Sequence, residues 1–293
     1  MDIGLRFHKD MLVLSSPVQA VLERFGVDTE RDMEFTMLFE PDTLEKAYEL
    51  EALAGAQCIV TGTAALTPAR LAHGRMEDRA EELAQVALAT VAALRPQHIL
   101  VEVGPCGLPL DPSSKASLVE HRDQYARAAQ LFARSELDAF FLNEFTTCTD
   151  LKCALMGVRK VSDVPVFASV AVRDDGTLAG GGNGPVETLE EAAAVMEEYG
   201  AQVVGFSTTA PIETACDLVA RLRAAGEGPT PLPVLAQLVV DEDAGCYGNP
   251  DAMVDCAAAL RAAGAQFLRA AGDATPAYAG ALVAATLGTD VVA

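Results

Sequence analysis

The chain has 293 residues, 51% of them apolar, enough to bury one large core. Its 21 basic residues against 42 acidic ones give a net charge of −21, which excludes the Lys/Arg clusters that nucleic acids and anionic membrane surfaces require. Seven scattered cysteines, an odd number without a C-x-x-C pair, argue against a disulfide framework. No apolar run reaches the roughly 18 residues of a membrane span, and the first residues lack a signal-peptide pattern, so we expect a cytoplasmic, reduced protein.

In chain order, "MLVLSS" (11–16) predicts a first strand and "PVQAVLERFG" a helix behind it. The helix "PDTLEKAYELEALAG" precedes a second strand, "QCIVTG" (57–62). "HILVEVGP" (98–105), "AFFLNEF" (139–145) and "VPVFASVAV" (164–172) predict the third to fifth strands. The glycine-rich "RDDGTLAGGGNGP" (173–185) then reads as a flexible loop or as a lid over a site. The helix "TLEEAAAVMEEYG" (188–200) leads to "QVVGFST" (202–208), followed by "PVLAQLVV" (233–240). The helix "PDAMVDCAAALRAAG" (250–264) leads to the last strand, "QFLRAAG" (266–272).

These continuous apolar runs suit parallel strands covered on both faces. Gly55, Gly200, Gly226 and Gly264 stand where helices should stop. "AGAQCIV", "YGAQVVG" and "AGAQFLR" repeat one phrase of helix end, Gly-Ala-Gln and strand. Eight such βα units predict a single-domain (β/α)8 TIM barrel over residues 1–293. A doubly wound sheet is the second choice, because no G-x-G-x-x-G fingerprint follows the first strand.

Barrel chemistry gathers at the C-terminal ends of the strands. Those ends carry Ser15 and Ser16, Thr61 to Thr63, Gly104 to Cys106, Asn143 and Glu144, Ser169, Ser207 and Thr208, Asp241 to Asp243, and Asp273. No histidine is among them: His8, His73, His98 and His121 fall elsewhere, leaving His-based acid–base chemistry without support. Glu144 ends an apolar strand, where a carboxylate must face a site, pair with Arg269 or cap a backbone amide. Glu102 and Arg269 lie within strands and predict a buried pair inside the barrel. Cys106, Cys148 and Cys246 fall in loops on the same face, as zinc-binding thiolates or as small packing residues.

The order of these turns resembles the homocysteine S-methyltransferase family, from about residue 11 to about residue 283. "ELEALAGAQCIVTGTAAL" is similar to its second unit, and "ILVEVGPCG" keeps the third-strand Gly-Pro-x-Gly as Gly104, Pro105 and Gly107. "FFLNEFTTCTDLKCAL" resembles the fourth strand ending Glu-Thr, with Glu144 kept and Phe145 in place of Thr. "VFASVAVRDDGTLAGG" keeps the fifth-strand Ser as Ser169, and "AQFLRAAGDATPAYAGAL" keeps Thr275 and Pro276 of the eighth-strand signature. Rim and resemblance together give a substrate-binding set of Glu144, Ser15, Thr61, Gly104, Ser169, Ser207, Thr208 and Asp273. The resemblance implies that Glu144 holds the amino-acid part of a substrate.

The family's zinc is held by three cysteines, one ending the sixth strand and two in the Gly-Gly-Cys-Cys of the eighth. Here Ser207 and Thr208 replace the sixth-strand Asn-Cys, and Arg269, Ala270, Ala271 and Gly272 replace the eighth-strand run. Ser15 and Ser16 replace a first-strand Asp-Gly. We therefore expect no zinc at that position and no cofactor within the chain. Three readings follow. The first is a zinc-independent methyltransferase acting on a small amine or sulfonium compound, or exchanging a methyl group with a corrinoid protein. The second is a non-catalytic barrel that works with a partner protein. The third is a thiol methyltransferase with zinc relocated to Cys106, Cys148 and Cys246. Ala-rich outer helices are compatible with a homodimer.

Overall fold

The computed structural model describes residues 2–180, 186–226 and 231–291. Its strands are β1 (Leu12–Val13), β2 (Cys58–Val60), β3 (His98–Val103), β4 (Ala139–Phe145), β5 (Val166–Ala171), β6 (Val203–Thr208), β7 (Val234–Val240) and β8 (Phe267–Gly272). The helices between β1 and β3 are α1 (Val18–Arg24), α2 (Thr29–Phe39), α3 (Pro41–Leu53), α4 (Pro68–Gly74) and α5 (Ala80–Ala93). From β3 onward one helix follows each strand: α6 (Lys115–Gln130), α7 (Cys148–Arg159), α8 (Leu189–Glu198), α9 (Ile212–Ala225), α10 (Ala252–Ala263) and α11 (Pro276–Thr286).

All strand pairs are parallel and run in the order β1-β8-β7-β6-β5-β4-β3-β2. A bridge from Leu14 to Cys58 joins the two ends, so the sheet closes as a (β/α)8 barrel. At this seam the Ser15 hydroxyl accepts the Val60 N–H at 2.9 Å, standing in for a backbone carbonyl. β1, Leu12–Val13, is shorter than its predicted run over 11–16.

The Gly-Ala-Gln phrase has a common structural use. Gly55, Gly200 and Gly264 all turn through positive φ, +88°, +81° and +99°, which ends each helix tightly. Each following Gln then ties its strand start to a neighbouring segment. Gln57 accepts from the Val13 N–H at 2.8 Å, Gln202 from Val166 at 2.7 Å and Gln266 from His8 at 2.8 Å. Gly226 also follows its helix, but at an extended φ of −65°.

Alternation along the strands divides the barrel interior into layers. The lower layer is apolar, with Leu12, Leu100, Phe141, Phe167, Leu235 and Phe267 buried together and Phe7 packed beneath them. Two residues further along β3, β4, β5, β7 and β8 the interior turns polar: Glu102, Asn143, Ser169, Gln237 and Arg269. A larger apolar cluster fills the space between strands and helices. Among the described residues no helix is long and apolar enough to cross a membrane.

Candidate functional site

The polar layer forms one hydrogen-bonded network. The Glu102 carboxylate accepts from Asn143 Nδ2 at 2.7 Å and from Arg269 Nη1 at 3.4 Å. Gln237 Nε2 donates to Asn143 Oδ1 at 2.9 Å and to Ser169 Oγ at 2.7 Å, while its Oε1 accepts from Arg269 at 3.3 Å. Arg269 also donates to the Ser15 carbonyl at 3.0 Å and lies over the Phe141 ring, 5.3 Å from its centroid. The Glu102 and Arg269 side chains are only 8% and 2% exposed, so the predicted buried pair is present. Its neighbours supply the further bonds that a dry ion pair needs.

Above this layer Glu144 departs from the regular strand. Leu142 pairs with Ala168, but the next pairing is Phe145 with Val170, so Asn143 and Glu144 together oppose Ser169 alone. This β-bulge carries an extra residue and re-aims the chain. In strict alternation Asn143 would face inward and Glu144 outward. The bulge instead sends Phe145 outward against Tyr125, at a centroid distance of 5.6 Å, and turns Glu144 into the barrel mouth. Glu144 adopts a left-handed φ of +62°, a strained state for a residue with a side chain.

Glu144 lines an open cavity of about 750 Å³ with Thr146, Arg173, Ser207, Thr208, Thr209 and Val239. No hydrogen bond or ion pair within the described residues engages its carboxylate, so the alternative pairing with Arg269 is not made. Glu144 as a residue is exposed at the mouth, yet the walls crowding its carboxyl raise its pKa above the ordinary value, with the nearby Glu102 charge adding and Arg269 opposing. A cation entering this cavity would relieve both the desolvation and the repulsion.

The remaining predicted site residues have distinct fates. Ser207 and Thr208 share the cavity with Glu144, and Thr208 Oγ1 accepts from the Ala210 N–H at 3.1 Å. Ser169 is buried in the network below. Ser15 closes the β1–β2 seam, and Thr61 bonds Thr63 at 2.6 Å and accepts from Glu102 N at 3.2 Å. Gly104 donates to the Ala64 carbonyl at 3.1 Å. Asp273 accepts the Glu242 N–H at 3.0 Å and braces the loop after β7. The predicted lid is an ordered turn over 173–180, where Arg173 bonds the carbonyls of Leu178, at 2.5 Å, and Ala179, at 3.1 Å, while residues 181–185 lie outside the described residues.

Two carboxylates and a histidine were not anticipated: Glu51 and His121 are buried, and Asp150 is partly exposed. Glu51 of α3 accepts the Ser16 N–H at 3.0 Å with one oxygen, while the other is buried without a partner. Burial pushes its pKa up to about 7. His121 of α6 and Asp150 of α7 meet Cys106, residues too far apart in sequence to show a motif. Cys148 and Cys246 do not join them, so the three thiols proposed for a relocated zinc are not brought together.

The residues at the family's zinc position do not fit that ion. Thr208 offers only a hydroxyl already in use, and Ala271 and Gly272 offer no donor. A Cβ on Gly272 would lie 2.3 Å from the Val240 carbonyl oxygen, and its φ is +65°. The eighth-strand turn has therefore been rebuilt around glycine.

Comparisons with known proteins agree with this frame. Comparison with curated proteins gives no match. The homocysteine methyltransferase MmuM from Escherichia coli is similar in fold. Its metallated form gives a TM-score of 0.77 at 16% identity, covering 94% of this chain and 96% of that one. Its oxidized form gives 0.78 at 17% identity over the same shares. At such identities the likeness speaks for the fold alone. The sequence itself matches the family model described as homocysteine S-methyltransferase over residues 13–285, nearly the whole barrel, and the chain belongs to that family.

Proposed function

We propose that this protein is a methyltransferase that works without zinc at the family position and binds a small, positively charged ligand through Glu144. Family membership supports methyl transfer. The observation that carries the rest is the Glu144 carboxylate, without a partner among the described residues and turned by a bulge and a strained φ into a cavity of about 750 Å³. Hydroxyls of Ser207, Thr208 and Thr209 and the guanidinium of Arg173 line the same cavity and would orient polar groups of the ligand.

Among the described residues the cavity lining contains no Cys, His or Lys. An acceptor with a pKa near that of a thiol, roughly 8.5, would not be activated by a metal thiolate centre here. The reading therefore favours a donor that is itself reactive. A sulfonium donor transfers its methyl to an amine or other nucleophile, leaving as a neutral sulfide, and a methylated amine then loses a proton. A methyl-corrinoid on a partner protein is the other donor of this class. Glu144 would hold the onium or ammonium charge during the exchange.

Calorimetric titration with S-methylmethionine, betaine and methionine, followed by labelled-methyl transfer in the presence of a chelator, tests this. Binding should weaken by roughly tenfold or more in Glu144→Gln, the scale of a charge-assisted contact. Turnover should survive chelation. Binding indifferent to Glu144→Gln, or turnover that requires added zinc, would overturn the reading. The rebuilt β8 turn favours a second reading, a non-catalytic barrel that binds a ligand for a partner protein. Ligand binding with no methyl transfer from any donor would select it.

A further inference from the structure

We propose that Cys106, His121 and Asp150 form a site for a single divalent ion of the zinc class, outside the barrel mouth and separate from the family's thiolate position. Cys106 lies in the connection after β3, His121 on α6 and Asp150 in the first turn of α7. Their ligand atoms all lie within 4.8 Å of one another. Cys106 Sγ is 3.5 Å from His121 Nδ1, which is 3.1 Å from Asp150 Oδ1. Tetrahedral zinc with bonds of about 2.0–2.3 Å separates its ligands by roughly 3.3–3.7 Å. The cluster is thus close to the size of such a site before any adjustment.

The hydrogen bonds around the cluster point the same way. His121 Nε2 lies 3.3 Å from the Pro109 carbonyl, an acceptor that can only take a proton from the ring. That bond places N–H on Nε2 and aims the Nδ1 lone pair at the other two groups, as metal-bound histidines are commonly held. Asp150 Oδ1 already accepts from the Tyr125 hydroxyl at 2.8 Å. Nδ1 and Oδ1 are then two acceptors facing each other, an arrangement that favours a cation between them, while without one the Cys106 S–H is the donor within reach of Nδ1. A proton would satisfy that one pair, whereas a metal ion uses the sulfur as well.

The same Tyr125 hydroxyl accepts the Cys106 N–H at 3.0 Å, so one side chain orients two of the three ligands. The Asp150 side chain is 17% exposed, which leaves a route for water to a fourth position. On binding, the Cys106 thiol gives its proton to solvent as the sulfur–metal bond forms. The ion would clamp α6 to α7, the helix that begins shortly after Glu144. The inference is independent of the function proposed above.

Titration of the full chain, purified without chelator, with Co²⁺ tests it. A single equivalent should bind with thiolate-to-cobalt charge-transfer absorption and tetrahedral visible bands, and Zn²⁺ should displace it. Cys106→Ser should lose the charge-transfer band. Asp150→Asn, whose carbonyl can still accept from Tyr125, and Tyr125→Phe should each weaken binding by roughly tenfold or more with unchanged circular dichroism. No stoichiometric binding by the native chain, the same spectrum in Cys106→Ser, or unchanged affinity in Asp150→Asn would each overturn the proposal.

Discussion

The tips of β4 and β8 turn through almost the same backbone state, with φ of +62° at Glu144 and +65° at Gly272. They use it in opposite ways. At β8 the Val240 carbonyl occupies the space of any Cβ, so only glycine fits and no side chain projects. At β4 a bulge forces a glutamate into the same state, at a cost of order 1–3 kcal/mol, and its carboxylate enters the cavity with no partner among the described residues. Backbone strain is present at the tip that aims a functional group and absent at the tip whose ligands have been replaced.

The largest effect should come from the layer beneath both tips. Arg269→Met leaves Glu102 buried without its cation, and urea unfolding should show a loss of about 3–5 kcal/mol. A loss below about 1 kcal/mol would mean that the network is not holding the two tips in place. Gly272→Cys restores a family thiol to the β8 tip, but left-handed strain plus overlap with Val240 should cost roughly 3–4 kcal/mol and bind no zinc. A stable variant that gains zinc would erase the contrast between the tips.

Glu51 sits behind the β1 tip, and its effect depends on pH. Its folded pKa is raised, to about 7 from 4.5, so the native state holds a proton that the unfolded chain releases. Its contribution is present below pH 4.5 and is lost as pH rises through about 7, where ionising it costs about 3 kcal/mol. Glu51→Gln should flatten that decline in stability between pH 5 and pH 8, measured by denaturant midpoints, while its amide oxygen still accepts from Ser16. An unchanged pH profile would show that Glu51 is not the group responsible. The smallest effect is a gain. Glu144→Gly should relieve the left-handed strain and stabilise the chain by about 1 kcal/mol, while abolishing binding of the charged ligand. A destabilised Glu144→Gly would mean that the carboxylate has a structural partner instead.

Much of the barrel was legible because parallel strands covered on both faces must be apolar along their length. The β4 limits match the predicted run, and the repeated Gly-Ala-Gln marks three helix ends and three strand starts. The Glu102–Arg269 pair could be read because two charges in such strands have nowhere else to go. The bulge at Asn143 and Glu144 was not legible. "AFFLNEF" carries no glycine, its one turn-favouring residue, Asn143, precedes the residue that takes the left-handed state, and the extra residue becomes visible only when β5 supplies the partner register. Ser15, Thr61 and Gly104 were read as site residues because they are polar or small at strand ends. Seam closure and loop packing engage their polar groups in the structure, contacts the sequence did not foretell.

The sequence by itself determined the architecture, the family and the absence of sulfur at three positions, because these depend on hydrophobic period, helix stops and residue identity along one strand at a time. Only the tertiary structure decided which carboxylate faces the cavity. It also decided which hydroxyls remain in the cavity and that Cys106, His121 and Asp150 meet. Those outcomes depend on distances between segments tens of residues apart, and closure of the ring sets such distances where local sequence preference cannot.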